Sequence, residues 1–345
     1  MSTATVPSPL RVACIGAGYF SQFHYGSWAR MDGARLVGAC DRDLAKARAT
    51  GLPAYDDPAR MLDELQPDLL DIILPPNAHA ETIRMALASG VRRMICQKPF
   101  CRDLDEARAI TDEAEALGAV IVVHENFRFQ PWYRAVKSAL ADGVLGELQQ
   151  VTFRLRPGDG QGPRAYLDRQ PYFQRMERFL IHETAVHWVD TFRWLLGNPT
   201  HVYADLRRLN PAIRGEDAGI VLFHHPNGVR AIFDGNRHLD HAADNLRRTM
   251  GEALFEGAAG VLSLGGDGAV HLRRHGETVP EQLLPPDEWD GFGGDCVHAL
   301  QSHVVSAFLN GTPLENSARD YLTVIGIEQA IYASAASGQK IELKG

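Results

Sequence analysis

The chain has 345 residues, 45% of them hydrophobic, with five cysteines and a formal net charge of -8. That length exceeds one ordinary hydrophobic core, at roughly 100 to 200 residues per domain, and predicts two domains. The negative balance argues against nucleic acid or anionic lipid as partners, and no apolar run approaches the roughly 18 to 20 residues of a membrane span; a small-molecule partner and a cytoplasmic location are expected.

The first ten residues, "MSTATVPSPL", lack the basic and apolar regions of a secretory signal and read as a disordered tail. From Arg11 to His124, strand-like runs ("RVACIG", "ARLVGACD", "LLDIILPP", "RRMICQKP", "AVIVVH") alternate with amphipathic stretches that end in glycine. That alternation predicts a parallel sheet with helices on both faces. The cysteines Cys14, Cys40, Cys96, Cys101 and Cys296 are scattered, mostly inside apolar runs, and suggest neither a disulfide framework nor a metal knuckle.

Directly after the first strand stands "GAGYFS". Gly16 and Gly18 match the first two glycines of a dinucleotide fingerprint, Tyr19 and Phe20 follow in the same turn, and Ser21 occupies the place of the third glycine. Glycines there permit a tight turn and close approach of backbone N–H groups to a pyrophosphate at a helix N-terminus. Asp41 closes the second strand about 20 residues on, where a carboxylate accepts from a ribose diol and repels a 2′-phosphate. NAD is therefore the expected cofactor, although the neighbouring Arg42 leaves NADP open. The bland alternative is a glycine turn that binds nothing.

The strand of "ILPPNAHAE" ends at Pro75 and Pro76, and Asn77 or His79 begins a helix. A simple cap and a cofactor contact are both compatible with this pattern. In such a sheet, ligands lie beyond the carboxyl ends of the strands, so Pro75, Asn77, Gln97 and Lys98 are expected to face one crevice. Lys98 draws the most notice, because an apolar strand runs straight into a lysine and then a proline. Lysine is costly to bury unless its charge is used, and proline ends the strand.

Past Gln130 a helix, "PWYRAVKSALADG", leads into β-rich segments separated by glycine turns, which predicts a mostly antiparallel sheet. Further helices are expected at about 184–196, 295–309 and 319–337. The change of architecture near 125 divides a domain of residues 1–125 from one of 126–345, with no Pro/Gly linker, and the two are expected to pack tightly around a shared cleft. In "RFLIHETAVHWVDTFRWLLG", Glu183 and His187 stand four apart with Asp190 beyond. On one helix face a carboxylate there could orient an imidazole or hold its charged form. A structural helix cap is the competing reading. Zinc is not expected, since His182 and His187 are five apart rather than four. Segment 154–178 carries Arg154, Arg156, Arg164, Arg169, Arg175 and Arg178, of which one or two could bind the carboxylate or sulfonate of an acidic sugar.

Taken together, "GAGYFS", "PPNAH", "QKP", "HENFRFQP" and the H-x-x-D of "VHWVD" resemble the glucose-fructose oxidoreductase / inositol dehydrogenase / rhizopine-catabolism (Gfo/Idh/MocA) family over nearly the whole chain. The resemblance implies an α/β protein: a Rossmann dinucleotide-binding domain, then an α/β domain whose large, open, mainly antiparallel sheet often forms a dimer or tetramer interface. It implies NAD(P)-dependent oxidation of a sugar or polyol hydroxyl. Lys98 matches the family's lysine, Glu183 an aspartate and His187 a histidine, and all three are implied as catalytic and substrate-binding residues. Lys98 would stabilise the developing alkoxide, His187 would take the hydroxyl proton and Glu183 would orient His187.

Asn126 and Arg128 match family positions, as cofactor and substrate contacts respectively. His124, Tyr166 and Tyr172 join the expected substrate pocket by location only. Gln97 stands in place of the family's glutamate, which removes a negative charge beside Lys98 and should ease its loss of a proton. Ala185 replaces a glycine. The Q-K-P variant with "HENFRFQ" and "QPYF" is especially similar to the D-apiose dehydrogenase subgroup, which acts on the anomeric hydroxyl of a branched pentose. Two other activities within the family stay open: a glycosidase that oxidises its sugar transiently, and a sensor that binds NAD and sugar without chemistry.

Overall fold

The structure, a computed structural model, describes residues 8–343. Residues 1–7 of the expected tail lie outside that range, and Leu10 already begins the first strand. The chain forms two compact units, which divide between Asn126 and Phe127. The single boundary read from sequence misses one feature: Val297–Thr323 returns to the first unit.

In the first unit, strands and helices alternate as β1 (Leu10–Ile15), α1 (Ser21–Trp28), β2 (Ala34–Cys40), α2 (Leu44–Ala49), β3 (Ala54–Tyr55), α3 (Pro58–Leu65), β4 (Leu69–Ile72), α4 (His79–Ala88), β5 (Arg93–Gln97), α5 (Leu104–Ala116) and β6 (Val120–His124). The six strands pair in the order β3-β2-β1-β4-β5-β6, every ladder parallel. Order reverses between β1 and β4, and ligands in such sheets lie outside the carboxyl ends of the strands near that point. All four residues of β4 are buried, as expected of a strand covered on both faces. Side chains cap several helices: Asp43, Asp57 and Asp103 each accept from backbone N–H groups in the first turn of α2, α3 and α5.

The second unit opens with α6 (Pro131–Ala141) and carries β7 (Leu148–Leu155), α7 (Val186–Leu196), β8 (His201–Arg207), β9 (Ala218–His224), β10 (Arg230–Asn236), β11 (Gly251–Gly257), β12 (Gly260–Leu264), β13 (Val270–Arg274) and β14 (Glu281–Leu284). Helix α8 (Cys296–Asn310) follows, then α9 (Ala318–Ser337) and β15 (Ile341–Glu342). Nine strands pair in the order β14-β13-β12-β11-β7-β10-β9-β8-β15. Only β10 with β7 is parallel, so the expected mainly antiparallel sheet is what forms. Its strands alternate buried and exposed residues, with Val151, Phe153, Val221, Phe223, Ala231, Phe233 and Phe255 on the covered face.

One expected helix start moves. Leu180–Ala185 is a π-helical turn, and the α-helix proper begins only at Val186. Such turns are rare and recur at functional sites. All five cysteines are buried and free, and no helix among the described residues is long and apolar enough to cross a membrane.

Candidate active site

In the first unit the candidate residues cluster at strand ends. Gly16 follows β1 with φ +109°, and a Cβ built there would lie 2.2 Å from the Ile73 carbonyl oxygen. Only glycine fits. Its N–H donates to Cys40 O at 2.7 Å, which ties the turn to the end of β2. Asp41 finishes the cradle: Oδ2 accepts from Ala17 N–H at 2.8 Å and Oδ1 from Asp43 N–H at 2.9 Å. Gly18 is exposed with open space around its Cα, Tyr19 is exposed, and Arg42 lies on the surface. Ser21 Oγ donates to Gly18 O at 2.7 Å at the start of α1. A turn without a Cβ, open amides ahead of a helix and a carboxylate at the next strand end suit a dinucleotide. Gly16→Ala is expected to cost about 1–3 kcal/mol in backbone strain and to abolish NAD binding, as read by urea unfolding and by calorimetric titration.

Beyond β4, Pro75 and Asn77 are exposed around a short 3-10 turn, Pro76–Ala78. His79 takes a different role from the cofactor contact expected of it. It is fully buried, and its Nδ1 accepts from Cys101 N–H at 3.2 Å, so Nε2 carries the hydrogen and donates to Leu74 O at 2.8 Å. Burial pushes its pKa down to about 4, which keeps the ring neutral. His79 thus braces the loop after β5 against the end of β4.

Lys98 is half-buried immediately after β5, and the Lys98–Pro99 peptide is cis. Behind it, Gln97 is 8% exposed. Its side chain bonds the Lys98 N–H and His24. Asn126 is buried just past the end of β6. His124, expected to touch substrate, is 1% exposed, its ring centroid 4.2 Å from that of His24. That position is interior packing.

In the second unit, Glu183 sits within the π turn and His187 in the first turn of α7. Their four-residue spacing crosses the junction between the two helix types, so simple α-helical projection does not describe it. Thr184 Oγ1 donates to Glu183 Oε2 at 2.7 Å. The His187 ring lies flat on Phe127, centroids 3.8 Å apart and planes 2° from parallel, which fixes the imidazole plane. Arg128 does not point a free fork at a ligand: Nε donates to Asp190 Oδ2 at 2.8 Å, Nη2 to Oδ1, and both residues are buried. The pair is bidentate. Tyr172 is 55% exposed, and partial desolvation of its phenol together with the Glu183 carboxylate pushes it up to about 12.

Sequence reasoning missed the group that holds Glu183. Arg237, 1% exposed, donates from Nη1 to Thr184 Oγ1 at 2.6 Å, from Nε to Tyr166 OH at 2.8 Å and from Nη2 to Asp159 Oδ2 at 2.8 Å. The rings of Phe179, Tyr166 and Phe173 surround its guanidinium carbon at 4.9, 5.1 and 5.9 Å. Gly160 makes room, since a Cβ there would meet Arg237 Cβ at 2.9 Å. Burial opposes both charges, yet Arg237 and Arg169 hold Asp159 below the usual carboxylate range, and Asp159 holds Arg237 firmly charged. Tyr166, expected in the substrate pocket, is instead 6% exposed within this cluster, its phenol engaged by Arg237 and Asp159.

The arginines of segment 154–178 are largely spent on the chain's own acids. Arg154 pairs with Glu252, Arg156 with Asp234, Arg164 with Asp168 and Arg169 with Asp159, while Arg178 lies over the Tyr332 ring. Little charge is left for an acidic sugar.

Comparison with known proteins decides the family. Residues 10–125 match the family described as "Oxidoreductase family, NAD-binding Rossmann fold", and residues 133–253 match the "GFO/IDH/MocA C-terminal domain". The chain belongs to the Gfo/Idh/MocA oxidoreductases. Its first unit is accordingly an NAD-binding Rossmann domain, and the protein is an oxidoreductase. It is 34% identical to D-apiose dehydrogenase of Paraburkholderia graminis, over 99% of this chain and 92% of that one. With D-apiose dehydrogenase of Rhizobium rhizogenes it shares 30% identity over 97% of each. A crystal structure of an oxidoreductase from Agrobacterium radiobacter in complex with NAD+, L-tartaric acid and magnesium superposes with a TM-score of 0.88, at 28% identity, covering 97% of this chain and 98% of that one.

Proposed function

We propose that this Gfo/Idh/MocA protein is an NAD-dependent dehydrogenase of a sugar hydroxyl, with the anomeric carbon of D-apiose as its first candidate. Likeness to two D-apiose dehydrogenases over nearly the whole chain carries the substrate reading. Lys98 at a strand end of the NAD-binding domain supports the chemistry. NAD, when bound, supplies the nicotinamide C4 that accepts the hydride.

The chain's own residues do the rest. Gly16, Gly18, Tyr19 and Phe20 would line the pyrophosphate turn, Asp41 would accept from the ribose diol, and Pro75, Asn77, Gln97 and Asn126 would flank the crevice. Lys98 offers an ammonium that stabilises negative charge developing on the substrate oxygen as its C–H bond breaks. His187, its plane set by Phe127, takes the hydroxyl proton and passes it to solvent. Glu183, fixed by Thr184, holds the imidazole and balances its charge. The organic product of anomeric oxidation is a lactone. Incubation with D-apiose and NAD, followed by NMR of the product, tests the reading: equal lactone and NADH support it. Release of an aglycone from a glycoside without NADH, or binding without turnover, would overturn it.

The exposed face of the nine-stranded sheet supports a second part of the proposal, self-association. Tyr203 pairs in register with Leu222, Leu222 with Ile232, Ile232 with Thr152, and Thr152 with Leu254, so these side chains form one row across five strands. Tyr203, Leu254 and Ile220 in the next row are 40%, 43% and 50% exposed. A contiguous apolar row on an open sheet suits a second copy of the chain. The double variant Ile220→Asp, Leu254→Asp is expected to run as a monomer in light scattering where the wild type runs as a dimer or tetramer.

A further inference from the structure

Behind Lys98 lies a hydrogen-bond chain whose direction can be worked out one bond at a time. A backbone N–H can only donate, so the contact from Lys98 N to Gln97 Oε1 at 2.8 Å fixes which end of the Gln97 amide is oxygen. The other end, Nε2, then donates to His24 Nε2 at 3.1 Å. That nitrogen must accept, so the hydrogen of the ring sits on Nδ1 and points at Asp71 Oδ2, 2.8 Å away. Trp28 Nε1 and Gln301 Nε2 donate to the same Asp71 oxygen at 2.8 and 3.2 Å. Gln301 Nε2 also lies 3.3 Å from His24 Nδ1. An accepting Nδ1, however, would set its lone pair against the Asp71 carboxylate, so the first arrangement holds.

His24 and Asp71 are both fully buried, and Gln97 is nearly so. Nothing in the NAD-binding fold requires an acid in the middle of β4, a strand otherwise made of Leu69, Leu70 and Ile72. The other titratable groups facing this chain are His124 against the His24 ring, and Cys14, Tyr25 and Cys96 within the field of Asp71.

We propose that Asp71, His24 and Gln97 form a positioning relay that anchors the peptide N–H of Lys98, and that Gln97 selects the singly protonated Nδ1–H form of His24. The positioning half rests on the role given to Lys98 above; the tautomer half does not. A carboxylate at position 97 offers only acceptors. In Gln97→Glu, His24 must therefore carry hydrogens on both ring nitrogens, as an imidazolium held between two carboxylates. The amide at 97 and the neutral ring at 24 are a matched pair, and the effect of the amide falls on the Lys98 backbone and on His24 as well as on the charge near the ammonium.

The test uses the full chain labelled with 15N-histidine, with the His24 signals assigned by their loss in His24→Asn. In the wild type with NAD, Nδ1 is expected to show a protonated and Nε2 an unprotonated nitrogen shift. In Gln97→Glu both nitrogens are expected to become protonated. A wild-type ring protonated at Nε2, or a Gln97→Glu ring that keeps the wild-type pattern, overturns the relay, and the wild-type spectrum alone decides even if the variant misfolds. On the kinetic side, Gln97→Ala is expected to lower kcat about 10- to 100-fold, the scale of an ångström-sized misplacement, with the NAD dissociation constant unchanged. Wild-type kcat in Gln97→Ala overturns the positioning role. If the chain oxidises no sugar at all, the nitrogen spectrum still reports on the relay, so the two readings fail separately.

Discussion

Lys98→Met lowers kcat about 10²- to 10⁴-fold and leaves NAD affinity and folding stability unchanged, the loss expected when one positioned acid/base group is removed. Methionine keeps the length and most of the volume of the side chain, and position 98 is only half-buried, so packing should survive. What disappears is the ammonium. Oxidising an alcohol by hydride loss leaves negative charge on oxygen, and a cation already in place beside that oxygen needs no reorganisation as the charge develops. The backbone at this position is over-determined: Lys98 N–H is held by Gln97, and Cys101 N–H is held by His79. A loss confined to kcat in steady-state kinetics supports the mechanism. A Lys98→Met enzyme with near wild-type kcat contradicts it.

The second large effect concerns stability. Arg237→Leu is expected to destabilise the second unit by about 3–5 kcal/mol, because truncating one partner strands buried polar groups that cannot reach water. Leucine would leave Tyr166 OH and Thr184 Oγ1 without their donor and Asp159 with Arg169 alone, inside a ring of three aromatics that also loses its cation. Lysine does not repair this, since a single ammonium cannot replace a planar fork that donates in three directions. Thr184 would then no longer be held against Glu183, so kcat should fall as well. Equilibrium urea unfolding measures the first effect, and a loss below about 1 kcal/mol, the level of an exposed pair, would show that the network is not a stabilising unit.

These two sites differ in how far they could be read from sequence. Lys98, Gly16 and Asp41 stand where local chemistry breaks a pattern: a charge ending an apolar strand, a glycine turn, an acid closing the next strand. Arg237 reads as an ordinary turn residue after β10, because its partners Thr184 and Asp159 are 53 and 78 positions away. His24 is equally silent, 73 positions from Gln97. Asp71 did carry a signal, an acid inside "LLDIIL", and nearness to Gly16 and Lys98 could have drawn attention to it.

Residue type alone misled at His79, His124 and Tyr166, which have the chemistry of a pocket but packed into the interior, and at Arg128, whose fork is taken by Asp190. Local pattern also misses what topology decides. Strands β3 and β15 are two residues each, too short for any period to register. The π turn at Leu180–Ala185 has no compositional signature that separates it from the start of α7. That Val297–Thr323 joins the first unit follows from where the chain returns, which no local window contains.

The central claim is that this oxidoreductase moves a hydride from a sugar hydroxyl to NAD with Lys98 holding the charge. Its most direct test is a single-turnover measurement of NADH absorbance on mixing enzyme, NAD and D-apiose, run in parallel for wild type and Lys98→Met. A stoichiometric NADH burst in the wild type, slowed about 10²-fold or more in the variant, is the predicted result. No NADH from D-apiose would contradict the substrate, and an equal burst in both proteins would contradict the role of Lys98.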